Sequence, residues 1–188
     1  MLTETKITHQ QWIAGTARDS KYYPNGYSAT VSSNRSRGII VLVKKRSGLK
    51  VKFSQIIIPD IIRLDLVSGP DSLTVFGVYG PSNYDDQQFF INLRTHMLAA
   101  ENKDILIMGD LNLSLDKTKD LQGYITDPHW RSRAVVNEWL ESGDYTDAYR
   151  SLNPERTRMS WMHPNKTQRG RLGYILLSNS LAGKLKYC

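Results

Sequence analysis

"LIMGDLNLS", Leu106 to Ser114, decides the reading of this chain. An apolar run that reads as a buried strand ends in Gly109, Asp110, Leu111 and Asn112. In an extended chain side chains alternate, so Asp110 and Asn112 share one face while Leu111 points to the core. The strand's end then carries a carboxylate and an amide about 7 Å apart. The carboxylate can take a proton from water or hold a cation. The amide can donate to a phosphate oxygen and accept from that water. A plain strand-end turn, where Gly, Asp and Asn are common, is the competing reading of the same residues.

Working outward, strand signals come first. "GIIVLV" (Gly38 to Val43) is apolar and β-branched, and "VKFSQIII" (Val51 to Ile58) follows it. In "IIRLDLV" (Ile61 to Val67), Ile62, Leu64 and Leu66 fall on one face and Arg63 and Asp65 on the other, the period of a half-buried strand. After the turn residues "GPDS" (Gly69 to Ser72), "LTVFGVY" (Leu73 to Tyr79) is apolar on both parities, as in a strand covered on both faces. Strands joined by such short turns are antiparallel neighbours. "DDQQFFINLRTHMLAA" spaces Phe90, Leu93 and Met97 as a helix does, with Asp85 and Asp86 at its positive end. "DILIMG" (Asp104 to Gly109) is a short strand. A second helix is predicted over Arg133 to Ser142, with Val136, Trp139 and Leu140 as its stripe and Gly143 as its stop. "RMSWM" (Arg158 to Met162) and "RLGYILL" (Arg171 to Leu177) are the last strand candidates. Strands first, then helices interleaved with strands, predict an α/β protein with two packed sheets and helices outside. No repeat or linker divides the 188 residues, so one domain is expected.

The only cysteine is Cys188, which excludes a disulfide within the chain and points to a reducing compartment. No apolar run approaches the roughly 20 residues of a membrane helix, and "MLTETKITHQ" does not read as a signal peptide. The expectation is a nuclear or cytoplasmic protein, not secreted and without a membrane partner. The net charge of +7 favours a polyanionic partner. Lys44, Lys45, Arg46, Lys50 and Lys52 cluster around a hairpin, Arg131 and Arg133 precede the second helix, and Arg156, Arg158, Lys166, Arg169 and Arg171 flank "MSWMHP". Such charges suit a phosphate backbone, although a solvated face reads the same way.

Taken in order, these pieces resemble the endonuclease/exonuclease/phosphatase superfamily. The closest likeness is to the apurinic-type endonuclease domain of LINE-like (non-LTR) retrotransposon reverse transcriptase polyproteins. "TETKIT" stands for the family's Gln-Glu-Thr segment, "SRGIIVLVKK" for its Gly-rich strand and "GVYGPSN" for its tyrosine strand. "ILIMGDLNLSL" stands for its Gly-Asp-aromatic-Asn motif, with Leu111 in the aromatic place. "DYTDAYRSLNPE", "MSWMHP" and "RLGYILLS" complete the series. The resemblance implies a four-layer α/β sandwich, two packed and mainly antiparallel sheets flanked by helices, with the site at one end of the sheets. It implies a metal-dependent DNA endonuclease using Mg²⁺ (or Mn²⁺). Glu4 would hold the cation and Asp110 would orient or deprotonate the attacking water. Asn112 would bind the scissile phosphate, and Tyr79 would stabilise charge developing on it. Ser160 and Trp161 would shape the bordering strand, with Arg158 and Arg171 on the substrate. The partner implied is DNA, with a reverse transcriptase domain in a longer parent chain.

Three departures from the family pattern stand out. The family's first strand, with its active-site asparagine, and the helix after it are missing before Glu4. The C-terminal Ser-Asp-His strand is missing too, so the sandwich is expected to be incomplete at both ends. The family's Arg-Leu-Asp-Tyr segment reads Arg171-Leu172-Gly173-Tyr174. Losing a phosphate-binding histidine and its orienting carboxylate costs at least about a thousandfold in rate by analogy with single-group removals. The alternative reading is therefore an inactive remnant that at most binds nucleic acid. A third keeps the fold but acts on phosphoinositide, sphingolipid or poly(A), and the basic surface disfavours its lipid versions.

Overall fold

The computed structural model describes residues 1–3, 5, 25–29, 38–44, 47–126 and 128–186, with backbone alone at 2 and 25–29. They belong to two compact units. One comprises Met1–Tyr79 and Asn102–Gly109, the other Gly80–Glu101 and Asp110–Cys188. The chain thus passes from the first to the second at Tyr79–Gly80 and again at Gly109–Asp110.

The first unit is a sheet-on-sheet sandwich. Strands β1 (Leu2–Thr3), β2 (Asn25–Ala29) and β3 (Ile39–Val43) form an antiparallel sheet in the order β1-β3-β2. Strands β4 (Lys50–Ile58), β5 (Ile61–Ser68) and β6 (Asp71–Tyr79) form the expected antiparallel meander, with β7 (Ile105–Asp110) beside β6. Alternation does the packing. Ile39, Val41 and Val43 of one sheet meet Ile62, Leu64, Leu66, Val75 and Tyr79 of the other. Each such side chain contributes about 1.5–3 kcal/mol by leaving water. On the opposite face of β5, Arg63 pairs with Asp65 at 2.8 Å, and Thr74 donates to the same carboxylate at 2.8 Å.

β7 runs parallel to β6. Thr74 N–H donates to the Asp104 carbonyl at 2.8 Å, and at the other end Gly109 lies against Val78. Parallel neighbours need a crossover, and the helical residues between them supply it. β4 is an edge strand whose Phe53, Ile56 and Ile58 are exposed. Lys50, Lys52 and two register shifts blunt that edge against further pairing.

The second unit holds the helices. Its elements are α1 (Gln87–Leu98), α2 (Lys117–Asp120), β8 (Leu121–Gln122), α3 (Trp130–Glu141), β9 (Tyr145–Asp147), α4 (Ala148–Leu152), β10 (Trp161–Met162), β11 (Arg169–Gly170), β12 (Gly173–Ser178) and α5 (Asn179–Ala182). β9 pairs antiparallel with β12, and β10, β11 and β8 form a small antiparallel sheet. α1 and α3 pack through Phe90 against Trp139, and Trp139 against Tyr145, with ring centroids 6.5 and 6.4 Å apart. α3 begins at Trp130, one turn before the predicted Arg133, and Gly143 at φ +76° stops it as expected. Of "RMSWM", only Trp161 and Met162 are strand.

The two aspartates before α1 divide their work. Asp86 caps α1, accepting from Phe89 N–H at 3.2 Å. Asp85 serves α3 instead. It accepts from the N–H groups of Arg131 and Ser132, both at 2.9 Å, and from the Ser132 hydroxyl. α3 needs this, since His129 at its N-cap makes no capping bond. Burial alone would raise the Asp85 pKa, but these hydrogen bonds outweigh it and hold the carboxyl below its ordinary value. A lowered folded-state pKa contributes stability that is complete above the unfolded pKa and lost as pH falls through the folded one. Asp85→Ala should therefore cost about 1 kcal/mol at neutral pH. In urea unfolding followed by circular dichroism, that deficit should shrink below about pH 4.

Candidate active site

β7 ends at Asp110 and the chain turns at once. Asn112 has φ +53°, so residues 110–112 do not stay extended as the alternation argument requires. Asparagine is one of the few side chains that tolerate this conformation. The Asp110 carboxylate accepts the Asn112 N–H at 2.9 Å, an Asx turn. The strand-end turn and the carboxylate–amide pair are thus one object, in which the Asp110 carboxylate is tied to the Asn112 backbone. Leu111 is 2% exposed and points inward as expected, followed by Leu113 at 2%.

Two backbone contacts lock the turn. Asn112 Nδ2 donates to the Gly80 carbonyl at 2.7 Å, and Gly80 N–H donates to the Asp110 carbonyl at 2.7 Å. This leaves the Asn112 amide oxygen and one N–H for other partners. On the other side, Leu111 N–H donates to the Leu172 carbonyl at 2.8 Å. Leu172 is itself fixed, because its N–H and that of Gly173 donate to Ser160 Oγ at 2.8 and 3.0 Å. Gly80 has no room for a side chain: a Cβ there would lie 2.1 Å from the Leu111 carbonyl oxygen. Gly80→Ala should displace the turn and cost at least about 2 kcal/mol, within the range of severe single substitutions, read as a lowered urea midpoint.

The turn rests on a buried ion cluster that sequence reasoning missed. Arg171, 4% exposed, donates to both oxygens of Asp120 at 2.9 and 2.8 Å and of Asp147 at 3.1 and 2.5 Å. Arg150 donates to Asp120 at 2.6 Å. Burial works against the Arg171 charge, but the bonds to Asp147 and Asp120 win and raise its pKa. Burial and the Asp120 charge push the Tyr174 phenol upward, so it stays protonated. Its hydroxyl accepts Leu115 N–H at 2.8 Å, anchoring the chain just after the Asp–Asn pair.

The sequence-predicted residues meet different fates. Asp110 and Asn112 come together, with Ser160 fixing the neighbouring backbone. Arg171 does not face a substrate, because its donors are committed to Asp120 and Asp147. Trp161 is partly exposed and edge-on to His163 at 5.9 Å. Arg158 is exposed. Tyr79 lies in the first unit's core at 4% exposure, its N–H donating to the Asp60 carbonyl at 3.0 Å. Glu4 lies outside the described residues, as do Lys45 and Arg46. A signal for the cluster was present: an arginine inside the apolar run "RLGYILL" needs buried carboxylates as partners.

No protein-family model matches the chain, and no curated protein matches it. Solved structures do, and they share its fold, an α/β sandwich. AP endonuclease LMAP from Leishmania major aligns over 97% of this chain and 70% of its own, with a TM-score of 0.74 and 15% identity. The 3′ phosphatase NExo from Neisseria, bound to a product DNA hairpin, aligns over 97% and 76%, with 0.66 and 17%. The endonuclease domain of TRAS1, a telomere-specific non-LTR retrotransposon, aligns over 84% and 66%, with 0.58 and 11%.

Proposed function

We propose that this chain hydrolyses phosphodiester bonds in DNA at Asp110 and Asn112, as an endonuclease domain of retroelement origin. The observation that carries the proposal is the locked pair itself. A carboxylate and an amide are held by an Asx turn at the end of a buried strand, in a fold shared with structures of DNA-processing enzymes. Asp110 orients and deprotonates the attacking water. Asn112 uses its remaining amide N–H on the scissile phosphate. Catalysis here is positioning and charge stabilisation. Glu4 and Tyr79 enter on the sequence resemblance alone, as cation ligand and as stabiliser of charge on the phosphate.

Among the described residues, no three His, Cys, Asp or Glu side chains are grouped as a cation site. Asp110 and Asn112 do offer the oxygen donors that Mg²⁺ prefers. When bound, Mg²⁺ or Mn²⁺ supplies positive charge beside the departing oxygen. A reverse transcriptase domain in a longer parent chain belongs to the same proposal.

The test is incubation of the purified chain with supercoiled plasmid and Mg²⁺. Appearance of the nicked form, suppressed by a chelator, is the expected result. A folded sample that never nicks would leave the second reading, an inactive remnant that binds nucleic acid. That reading is favoured by one observation: position 173, aspartate in the family pattern, is an exposed glycine.

A further inference from the structure

Three arginines of the second unit are committed to carboxylates. Arg94 pairs with Asp144, Arg150 with Asp120, and Arg171 with Asp120 and Asp147. The guanidinium groups of Arg156 and Arg158 make no hydrogen bond or ion pair with any described residue. Both line one surface cavity of about 500 Å³, with Tyr149, Asn153, Glu155 and Thr157.

The segment forming this cavity is held in place from beneath. Arg150 Nη1 reaches the carbonyls of Asn153, Pro154 and Arg156 at 3.4, 3.2 and 2.8 Å. Lys119 Nζ donates to the Pro154 carbonyl at 2.8 Å and pairs with Glu155 at 3.2 Å. The carbonyls of Asn153, Pro154 and Arg156 are thereby occupied by Arg150 and Lys119. Glu155, the one carboxylate lining the cavity, is met by Lys119, so the two guanidinium groups stand unopposed. The hydroxyls of Tyr149 and Thr157 also have no partner among the described residues. Two guanidinium forks and two hydroxyl donors around one hollow suit a tetrahedral oxyanion.

We propose that this cavity is a phosphate subsite that takes a backbone phosphate of DNA outside the linkage that is cut. It rests on the DNA-directed reading above, and it adds four residues and a second point of attachment to that reading. Exposed guanidinium groups on an open hollow suit a phosphate carried in by a large ligand, which the other contacts hold in place.

Binding of a fluorescently labelled duplex is measured by anisotropy in EDTA across a salt series, beside circular dichroism of each variant. Neutralising one phosphate contributes about 0.9 to the slope of log affinity against log salt. The variant carrying Arg156→Gln and Arg158→Gln should lose about that slope and roughly tenfold in affinity at low salt. Tyr149→Phe with Thr157→Val should weaken binding at unchanged slope, since hydroxyls and not charges are removed. If the arginine variant keeps wild-type affinity and slope, the proposal is overturned. If inorganic phosphate shifts the Arg156 and Arg158 Nε resonances while that variant still binds DNA normally, the cavity serves free phosphate, and the assignment to DNA is overturned. No cleavage enters these measurements. A chain that shows the slope change but never nicks fails the hydrolase reading alone. A chain that nicks but ignores the arginine changes fails this proposal alone.

Discussion

Asp110→Ala should lower the rate of plasmid nicking at least a thousandfold, about 4 kcal/mol of transition-state stabilisation. Two losses combine in it. The group proposed to orient and deprotonate water disappears, and so does the acceptor of the Asn112 N–H, a bond of 2.9 Å that shapes the turn. Asp110→Asn separates them. The amide oxygen still accepts from Asn112, so the turn persists, but the charge and the basicity are gone. If the carboxylate acts on water, both variants are equally inactive in initial-rate measurements with Mg²⁺. An Asp110→Asn chain that nicks at near wild-type rate would reduce Asp110 to a turn former and remove it from the chemistry. The bond to Asn112 N–H contributes about 1 kcal/mol of stability, which is small beside the expected loss of rate.

The fold was legible where burial alone decides local structure. β5 reads straight from Ile62, Leu64 and Leu66 alternating with Arg63 and Asp65, and β6 from its unbroken apolar run. Both facts concern neighbours in sequence. What sequence could not supply was long-range pairing. Asp85 looks like an α1 residue and caps α3, because the orphan N–H groups of Arg131 and Ser132 have no local acceptor. Asp147 caps α4, accepting the N–H groups of Tyr149 and Arg150, and it also joins Asp120 as a partner of Arg171, 24 and 51 residues away in sequence. In the candidate site, Asp110 and Asn112 were identifiable from their types and position, but their geometry was not. Alternation requires an extended chain, and the positive φ of Asn112 replaces it with a turn held by Gly80 and Leu172, both distant in sequence.

Arg171→Met should destabilise the chain by about 3–5 kcal/mol, the cost of removing one partner from a buried ion pair. The magnitude follows from what is left behind. Asp120 is 0% exposed and Asp147 8%, and each loses two charge-assisted bonds, with Arg150 left as the one cation on Asp120 among the described residues. A methionine fills the volume but donates nothing. Arg94 with Asp144 makes the instructive comparison, since it is the same chemical pair on an exposed site, with the Asp144 side chain at 51% accessibility. Arg94 also lies over the Trp139 and Tyr145 rings at 5.9 and 5.1 Å, contacts that a methionine can partly replace. Arg94→Met should therefore cost below about 1 kcal/mol. Urea midpoints for the two variants, taken at one pH and salt, measure the ratio directly. Equal costs would mean that the Asp120–Arg171–Asp147 cluster is no stronger than a surface pair, and that burial is not what makes it the floor of the Asp110–Asn112 turn. The expected large difference also reaches function. Leu172 follows Arg171 and accepts the Leu111 N–H at 2.8 Å, so releasing Arg171 should loosen the turn and slow nicking even at temperatures where the variant remains folded.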